Sequence, residues 1–243
     1  MRIVFFLYEF TIFHVILSMK KDQINIERIN FSLLFEEPEQ VKKHIIYKLV
    51  NKERNLKLLE NVPHIDYLDL SIVFYYLTQI GEDEYKGFMI SDEHMLMWGL
   101  EVSDLMEAAS INTKEILGIK VQGIFTTIAE ILGEDNLVQA AKEEDILNPL
   151  QVMTNRLEKY GAAVILYKDL IEEMAEKFNG DLYIIPCSVH EVLFFRAMKN
   201  CQIEIDEIKD MIHYVNRNEI KECDVLSDNL YYYSQETKAL SIL

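Results

Sequence analysis

The stretch that decides the fold is DLYIIPCSVHEVLFFR, residues Asp181–Arg196. Two runs rich in β-branched and aromatic residues, Leu182–Ile185 and Val192–Phe195, enclose a short polar corner. Such runs on either side of a corner predict an antiparallel β-hairpin. Pro186 stands where the first strand would end, a position at which its missing N–H weakens the sheet least.

Helical segments are predicted on both sides of this hairpin. Lys168–Phe178 carries apolar residues at helical spacing and is followed by Asn179 and Gly180, which are typical helix terminators. Ile203–Val215 has helical spacing after the hairpin. The remaining patterns predict strands at Leu150–Met153, Ala162–Tyr167, Leu230–Ser234 and Ala239–Ile242. The resulting order, β-β-α-β-β-α-β-β, predicts an α+β fold with helices packed on one face of an antiparallel sheet.

The first half of the chain is predicted to begin with helix. Glu36, Glu37 and Pro38 are typical of a helix start, and the spacing of Val41, Ile45, Ile46 and Leu49 predicts one helical face. Helix is predicted to continue through Asn51–Asn61 and to stop at Pro63. The lysines and arginine of this region are interpreted as a solvated helix face: Lys42, Lys43, Lys48, Lys52 and Arg54.

The β-rich run Tyr67–Leu77 is predicted to turn through Gly81–Gly87 and to return in two pieces, Phe88–Ile90 and Met95–Trp98. Two helices should follow. Ser103 and Asp104 are capping residues for the first, which fades near Asn112. The second covers Ile116–Ala141 and is broken at Gly133.

Two segments, Phe88–Asn112 and Leu182–Asn216, share an order of features. Each reads as a strand, a polar corner with one histidine, a β-rich return and a helix. Two similar strand-hairpin-helix halves are one interpretation, and chance is the other. We divide the chain into an N-terminal apolar or strand segment (1–35), a first α+β half (36–145) and a second α+β half (146–243).

The first nineteen residues, MRIVFFLYEFTIFHVILSM, have a composition similar to that of a signal peptide. Glu9 and His14 interrupt the apolar run, and no small-residue cleavage site follows before Lys20. The run is also short for a membrane-spanning helix. A buried strand or core segment is favoured, while a membrane role and a start assigned upstream of the native one stay open.

The net charge of −17 restricts the class of partner. Such a surface repels nucleic acids and anionic membranes and attracts basic surfaces. We therefore expect no direct nucleic-acid binding, no membrane association and a protein partner with a basic surface. The charge has two interpretations: it keeps the chain soluble, or it mimics nucleic acid in the basic groove of another protein.

Sequence motifs give no indication of a cofactor. Three cysteines, Cys187, Cys201 and Cys223, have neither disulfide-framework nor metal-site spacing, so we expect reduced thiols and a cytoplasmic location. HExxH, CxxC, GxGxxG and GxxxxGK[ST] patterns are absent from the sequence. We predict no cofactor and no metal.

Four stretches carry a family resemblance: Tyr47–Leu77 (YKLVNKERNLKLLENVPHIDYLDLSIVFYYL), Met89–Asn112, Val152–Phe195 and Val225–Ser234. They resemble an uncharacterised family of Firmicutes genomes, domain-of-unknown-function family 5688. The resemblance runs from about Asn30 to the C-terminus, and the first twenty or so residues do not share it. It implies an intracellular bacterial protein, with mobile or accessory DNA as one origin, and implies no reaction.

The corner of the hairpin holds the best reactive cluster, Cys187, Ser188, His190 and Glu191. A thiol or hydroxyl beside histidine is the usual composition of a nucleophilic site, although near neighbours on a strand corner tend to point apart. The alternative is a turn in which Ser188 and His190 satisfy backbone groups. Trp98, Tyr231 and Tyr233 are candidates for a recognition surface.

Two further histidines lie near acidic residues: His64 with Asp66 and Asp69, and His94 with Asp92 and Glu93. A metal site would require these histidines and His190 to converge. Isolated polar residues at strand ends are the alternative.

Three functions follow from these observations. The leading hypothesis is a non-catalytic acidic protein that binds another macromolecule. The second is an inhibitor from a mobile element that mimics nucleic acid, such as an anti-CRISPR or other anti-defence protein. The third is a hydrolase centred on Cys187, Ser188 and His190. The oligomeric state is not predicted.

Overall fold

The computed structural model describes residues 37–81, 84–133, 135–147, 150–197 and 205–243. The predictions made for the N-terminal segment 1–35, including its first nineteen residues, and for Cys201 lie outside the described residues.

The first sheet is built on a long central strand. β1 (Ile45–Asn51), β2 (His64–Tyr67), β3 (Leu70–Ile80) and β4 (Tyr85–Met89) form it. β3 pairs antiparallel with β1 along one edge and with β2 and β4 along the other. Its sequence, LSIVFYYLTQI, is a nearly continuous β-branched and aromatic run, which suits a strand with neighbours on both edges and both faces.

The second sheet has six antiparallel strands in the order β10-β9-β7-β8-β6-β5. Its strands are β5 (Lys120–Gly123), β6 (Gln151–Thr154), β7 (Leu182–Ile185), β8 (Val192–Arg196), β9 (Tyr231–Ser234) and β10 (Ala239–Ile242). The predicted hairpin is confirmed, because Leu182 pairs with Arg196 and Ile185 with Leu193. β9 pairs with β7 and with β10, so the predicted C-terminal hairpin is confirmed as well.

The α-helices are α1 (Pro38–Lys42), α2 (Leu56–Leu59), α3 (Asp92–Trp98), α4 (Val102–Leu117), α5 (Ile124–Ile131), α6 (Val138–Leu147), α7 (Lys168–Phe178) and α8 (Ile205–Asn218). Short 3-10 helices cover Glu53–Asn55, Asp135–Leu137, Gly161–Leu166 and Glu222–Asp224. The α+β prediction is confirmed. α7 has the predicted bounds, and Asn179 ends it in the left-handed conformation at φ 51°.

The helix predicted through Val41–Leu49 is wrong. α1 ends at Lys42, and Ile45–Leu49 is strand β1, in which five consecutive side chains are buried. Apolar residues four apart fit a strand buried on both faces as well as they fit a helix. The predicted helix Asn51–Asn61 shrinks to the 3-10 helix at Glu53–Asn55 followed by the single turn of α2.

Local capping and burial overturn two further element predictions. Met95–Trp98 is not a returning strand, because Ser91 and His94 form a capping box that starts α3. Ala162–Tyr167 is a buried 3-10 helix rather than a strand.

The long helix predicted over Ile116–Ala141 is interrupted by β5, and Gly133 breaks it as expected at φ 69°. In the segment Phe88–Asn112 the polar corner is followed by helix α3, whereas in Leu182–Asn216 it is followed by strand β8. The two segments that look alike in sequence therefore differ in structure.

The core joins the two sheets. One buried cluster contains Tyr47 and Phe74 of the first sheet together with Leu182 and Phe194 of the second. β5, which precedes residue 146, belongs to the second sheet by its pairing with β6. The division of the chain at residues 145 and 146 stays a prediction. Within the described ranges, no helix combines the length and apolar character needed to cross a bilayer.

A polar connection supplements this shared core. Asp69, in the turn between β2 and β3, accepts hydrogen bonds from Ser227 Oγ at 2.6 Å, from Asn229 Nδ2 at 2.9 Å and from the Tyr231 hydroxyl. Asn51 Nδ2 donates to the Leu226 carbonyl at 2.9 Å. The segment 226–231 is thereby fixed to the first sheet.

Candidate functional site

The most unusual surface is the pair α5–α6, which we call the helical hairpin (residues 124–147). It is inserted between β5 and β6, which pair directly with each other. Its buried residues are small: Thr126, Ala129 and Ala141. Its large apolar side chains are exposed instead: Phe125, Ile128, Ile131, Leu132, Leu137, Ile146 and Leu147. Five of them are more than half exposed, and the exposed fraction is greatest for Ile146 (79%), Ile131 (75%) and Leu147 (73%).

These side chains follow helical spacing. Phe125, Ile128 and Leu132 lie at i, i+3 and i+7, which places them on one side of α5. Contiguous exposed apolar area on a folded domain is characteristic of an interaction site. Exposed acidic residues of α6, Glu143 and Glu144, lie on the same helical hairpin. We call this combination the acidic-apolar surface of the helical hairpin.

The carboxylate of Asp145 joins α6 to the start of α5. Asp145, near the end of α6, accepts hydrogen bonds from the N–H of Phe125 at 2.8 Å and of Thr126 at 3.1 Å, and from Thr126 Oγ1 at 2.5 Å. It therefore does for α5 what an N-cap side chain normally does, although it comes from another helix. A Cβ on Gly123 would lie 2.0 Å from Asp145 Cγ, so only glycine permits this approach.

A pocket of about 490 Å³ lies at the base of the hairpin. Its walls come from β5, α5, α6, β6 and the end of α7, and include Val121, Ile146 and Phe178. Lys142 and Lys177 also line it. The pocket and the acidic-apolar surface share Ile146, so both depend on how α6 is held.

The hairpin corner brings Ser188 and His190 together without a catalytic contact. Ser188 Oγ accepts a hydrogen bond from the backbone N–H of His190 at 3.0 Å. His190 Nδ1 accepts from the N–H of Tyr160 at 3.2 Å, and its Nε2 faces Asp224 Oδ1 at 3.7 Å. Both ring nitrogens therefore have partners other than the Ser188 hydroxyl, whereas a serine nucleophile requires the base on its own oxygen.

The other two residues of the corner, Cys187 and Glu191, have raised pKa values. Burial, helped by the negative charges of Glu191 and Asp228, raises the pKa of the Cys187 thiol to about 12. Burial also raises the pKa of Glu191, against the opposing influence of His190 and Ser188. A thiol with a raised pKa is a poor nucleophile at neutral pH, because the thiolate is the reactive form.

The candidate metal-site histidines do not converge. His64 Nδ1 lies 2.9 Å from the Val62 carbonyl, at the start of β2. His94 is buried in α3 with Nδ1 accepting from the Ser91 N–H at 3.0 Å, and burial lowers its pKa to about 4. The described ranges contain no group of three or more histidine, cysteine or acidic residues that could hold a metal ion.

The aromatic residues proposed as a recognition surface lie inside the protein. Trp98 is 3%, Tyr231 0% and Tyr233 5% exposed. Trp98 packs against Tyr76 and His94, and the Tyr231 hydroxyl is bound by Asp69. These side chains therefore stabilise the core, as expected for aromatic residues on the inward face of a strand or helix.

Two features of the structure were not predicted from the sequence. Most of the helical hairpin fell within one predicted helix. The apolar pair Ile146 and Leu147, which follows a run of acidic residues, is the sequence signal that could have indicated it. Lys48 was assigned to a solvated helix face, but it is a buried residue of β1 with its Nζ 3.5 Å from the centroid of the Tyr75 ring.

Comparison with known proteins identifies a family and no function. The model of a family of unknown function, DUF5688, matches residues 10–235. The match begins earlier than Asn30, so at least residues 10–29 share the family pattern that we did not expect there. Neither a curated protein nor a solved structure matches the chain.

Proposed function

Because the chain belongs to the DUF5688 family, whose function is unknown, we propose from its structure that it is a non-catalytic protein that binds a protein partner through the acidic-apolar surface of the helical hairpin. The observation that carries the proposal is the inverted packing of α5 and α6, with small residues inside and large apolar residues outside. Burying these side chains against a partner would gain hydrophobic free energy, at roughly 25 cal/mol per Å² of apolar surface removed from water.

The charge determines what kind of partner fits. With a net charge of −17 and exposed acidic residues on α6 of the same hairpin, the surface matches an amphipathic segment that carries lysine or arginine next to apolar anchors. The proposal places the protein in the cytoplasm, which the free thiols of Cys187 and Cys223 support.

The test uses three proteins as baits in affinity capture from a bacterial lysate: the wild type, a double variant and a single variant. Ile131→Asp with Leu147→Asp alters the proposed surface. Leu96→Asp is the matched control, because Leu96 is also 78% exposed but lies on α3. We expect the hairpin variant to lose a partner that the wild type and the control retain. A partner held equally by all three proteins would contradict the proposal.

A second candidate function is an inhibitor that mimics nucleic acid, encoded on a mobile element, of which anti-CRISPR and other anti-defence proteins are examples. The net charge favours it. It predicts that duplex DNA added to the captured complex displaces the protein competitively. Under the first proposal, DNA leaves the complex intact and only substitution of the apolar residues dissociates it.

A further inference from the structure

Lys48 is a buried cation without a counter-ion. It lies in the middle of β1, is 5% exposed, and projects on the opposite face of the strand from Tyr47 and Leu49 of the main core. No carboxylate of the described part of the chain forms an ion pair with it, and burial is the cause that lowers its pKa, to about 7. Glu158, the nearest acid in the chain to Tyr160, pairs instead with Lys120 at 2.6 Å.

Aromatic rings replace the missing carboxylate. Lys48 Nζ lies 3.5 Å from the ring centroid of Tyr75, 3.9 Å from that of Tyr160 and 5.1 Å from that of Tyr85. The faces of these rings attract the ammonium and so act against the effect of burial on the pKa. With a pKa of about 7, the charged and neutral forms of Lys48 are close in free energy near neutral pH, which is unusual for lysine.

The cluster is open on one side and has an unused polar group. Tyr160 is 40% exposed, and both it and Glu158 have left-handed backbones at φ 53°. Such a conformation is unfavourable for residues other than glycine and recurs at functional sites. The hydroxyl of Tyr85 is buried and has no hydrogen-bond partner among the residues that the structure describes. A small molecule that reached the amine beside Tyr160 would have this hydroxyl within the same aromatic cluster.

We propose that Lys48 is a nucleophilic amine that forms an imine with a small aldehyde or ketone entering beside Tyr160. The nitrogen lone pair attacks the carbonyl carbon and forms the C–N bond. Both amine hydrogens leave with the carbonyl oxygen as water, so the product is the imine and no oxidant or reductant takes part. An aromatic, desolvated surrounding is the setting in which lysine performs this chemistry, because the neutral amine is the reactive form.

Reductive trapping of the intact chain tests the proposal. Acetaldehyde with cyanoborohydride at neutral pH converts an imine into a stable ethylamine, which peptide mass spectrometry locates. We expect ethylation of Lys48 at least about tenfold faster than that of the exposed Lys142 and Lys177, which serve as internal controls, because of its larger neutral fraction. Lys48→Met should abolish the trapped peptide without changing the rates at Lys142 and Lys177.

Burial could slow access to Lys48 for a reason unrelated to its chemistry. Tyr160→Ala removes the exposed ring and separates the two effects. Faster trapping at Lys48 than at the control lysines, in either the wild type or Tyr160→Ala, supports the proposal. Trapping at Lys48 that is no faster than at the control lysines in both proteins overturns it.

Discussion

At the scale of single residues, Lys48 makes stability depend on pH. Its pKa is about 7 in the folded protein against 10.5 for an ordinary lysine. Between these values the unfolded chain binds more protons than the folded one, so the free energy of unfolding rises with pH across this window. Below about pH 7 both states are protonated and the destabilising effect of the buried charge is constant.

We therefore predict that Lys48→Met stabilises the protein at pH 6 by a few kcal/mol, at about 1.4 kcal/mol per pKa unit, and that this gain shrinks as pH rises towards 10. Urea unfolding of both proteins at several pH values measures the difference between their free energies of unfolding. Groups that titrate in the same way in both proteins do not contribute to this difference. Lys142→Met, at an exposed position, should be neutral throughout. A gain independent of pH would show that packing, and not the charge, is responsible.

Asp69 is the second residue whose effect can be stated. Asp69→Ala leaves Ser227, Asn229 and Tyr231 without their acceptor. Each buried group left unsatisfied costs about 1–3 kcal/mol, so we predict a loss of about 3 kcal/mol in the free energy of unfolding. Glu84→Ala is the control, since Glu84 forms an exposed pair with Lys86 and should matter by less than about 1 kcal/mol. Equal effects of the two substitutions in urea unfolding would refute this role for Asp69.

The sequence indicates candidate site residues by their chemical type, but it does not indicate which side chains surround them. The corner Cys187–Glu191 was identifiable because its reactive groups are adjacent in the chain. What surrounds them was not, because Tyr160 and Asp224 reach His190 from distant segments. Lys48 was missed for the same reason: its exposure depends on β1 being a strand, and its tyrosine neighbours come from three separate parts of the chain.

At the scale of elements, the structures that could be predicted are those fixed by local interactions. The β7–β8 and β9–β10 hairpins and α7 have strong signals within about fifteen residues, namely alternating β-rich runs, turn residues and a left-handed terminator. β1 and β5 were not predicted, because each becomes a strand only through pairing with β3 or β6, which begin 19 and 28 residues after they end. Such tertiary pairing overrides local helical spacing.

The helical hairpin supplies a prediction at this scale. Asp145→Ala removes the acceptor for the N–H groups of Phe125 and Thr126, and loss of such a cap costs about 1 kcal/mol. We expect amide hydrogen exchange in α5 to accelerate several-fold while exchange in β1 and β3 is unchanged. Glu143→Ala, at an exposed position two residues earlier on the same helix, is the control. Unchanged exchange in α5 would mean that Asp145 does not hold the hairpin.

At the scale of the whole molecule, the two sheets depend on one another. The shared core includes Tyr47 and Phe74 from one sheet and Leu182 and Phe194 from the other, and Asp69 links the first sheet to the segment before β9. An edge strand of the second sheet, β5, comes from the first 145 residues. The proposed halves at residue 145 therefore divide a buried cluster and a strand pair, whereas domains that fold alone have their own cores.

We predict that the fragment 146–243 does not fold by itself and that the full chain unfolds in one transition. The fragment exposes the core side of Phe194 and leaves β6 without β5, and an isolated half of a core rarely offsets the entropy of ordering the chain. Circular dichroism and tyrosine fluorescence of the full chain should give coincident urea curves. The fragment 119–243 also contains β5, so it serves as a control that separates the loss of this strand from the loss of the rest of the first half. A native-like, cooperatively unfolding fragment 146–243 would establish it as an independent domain instead.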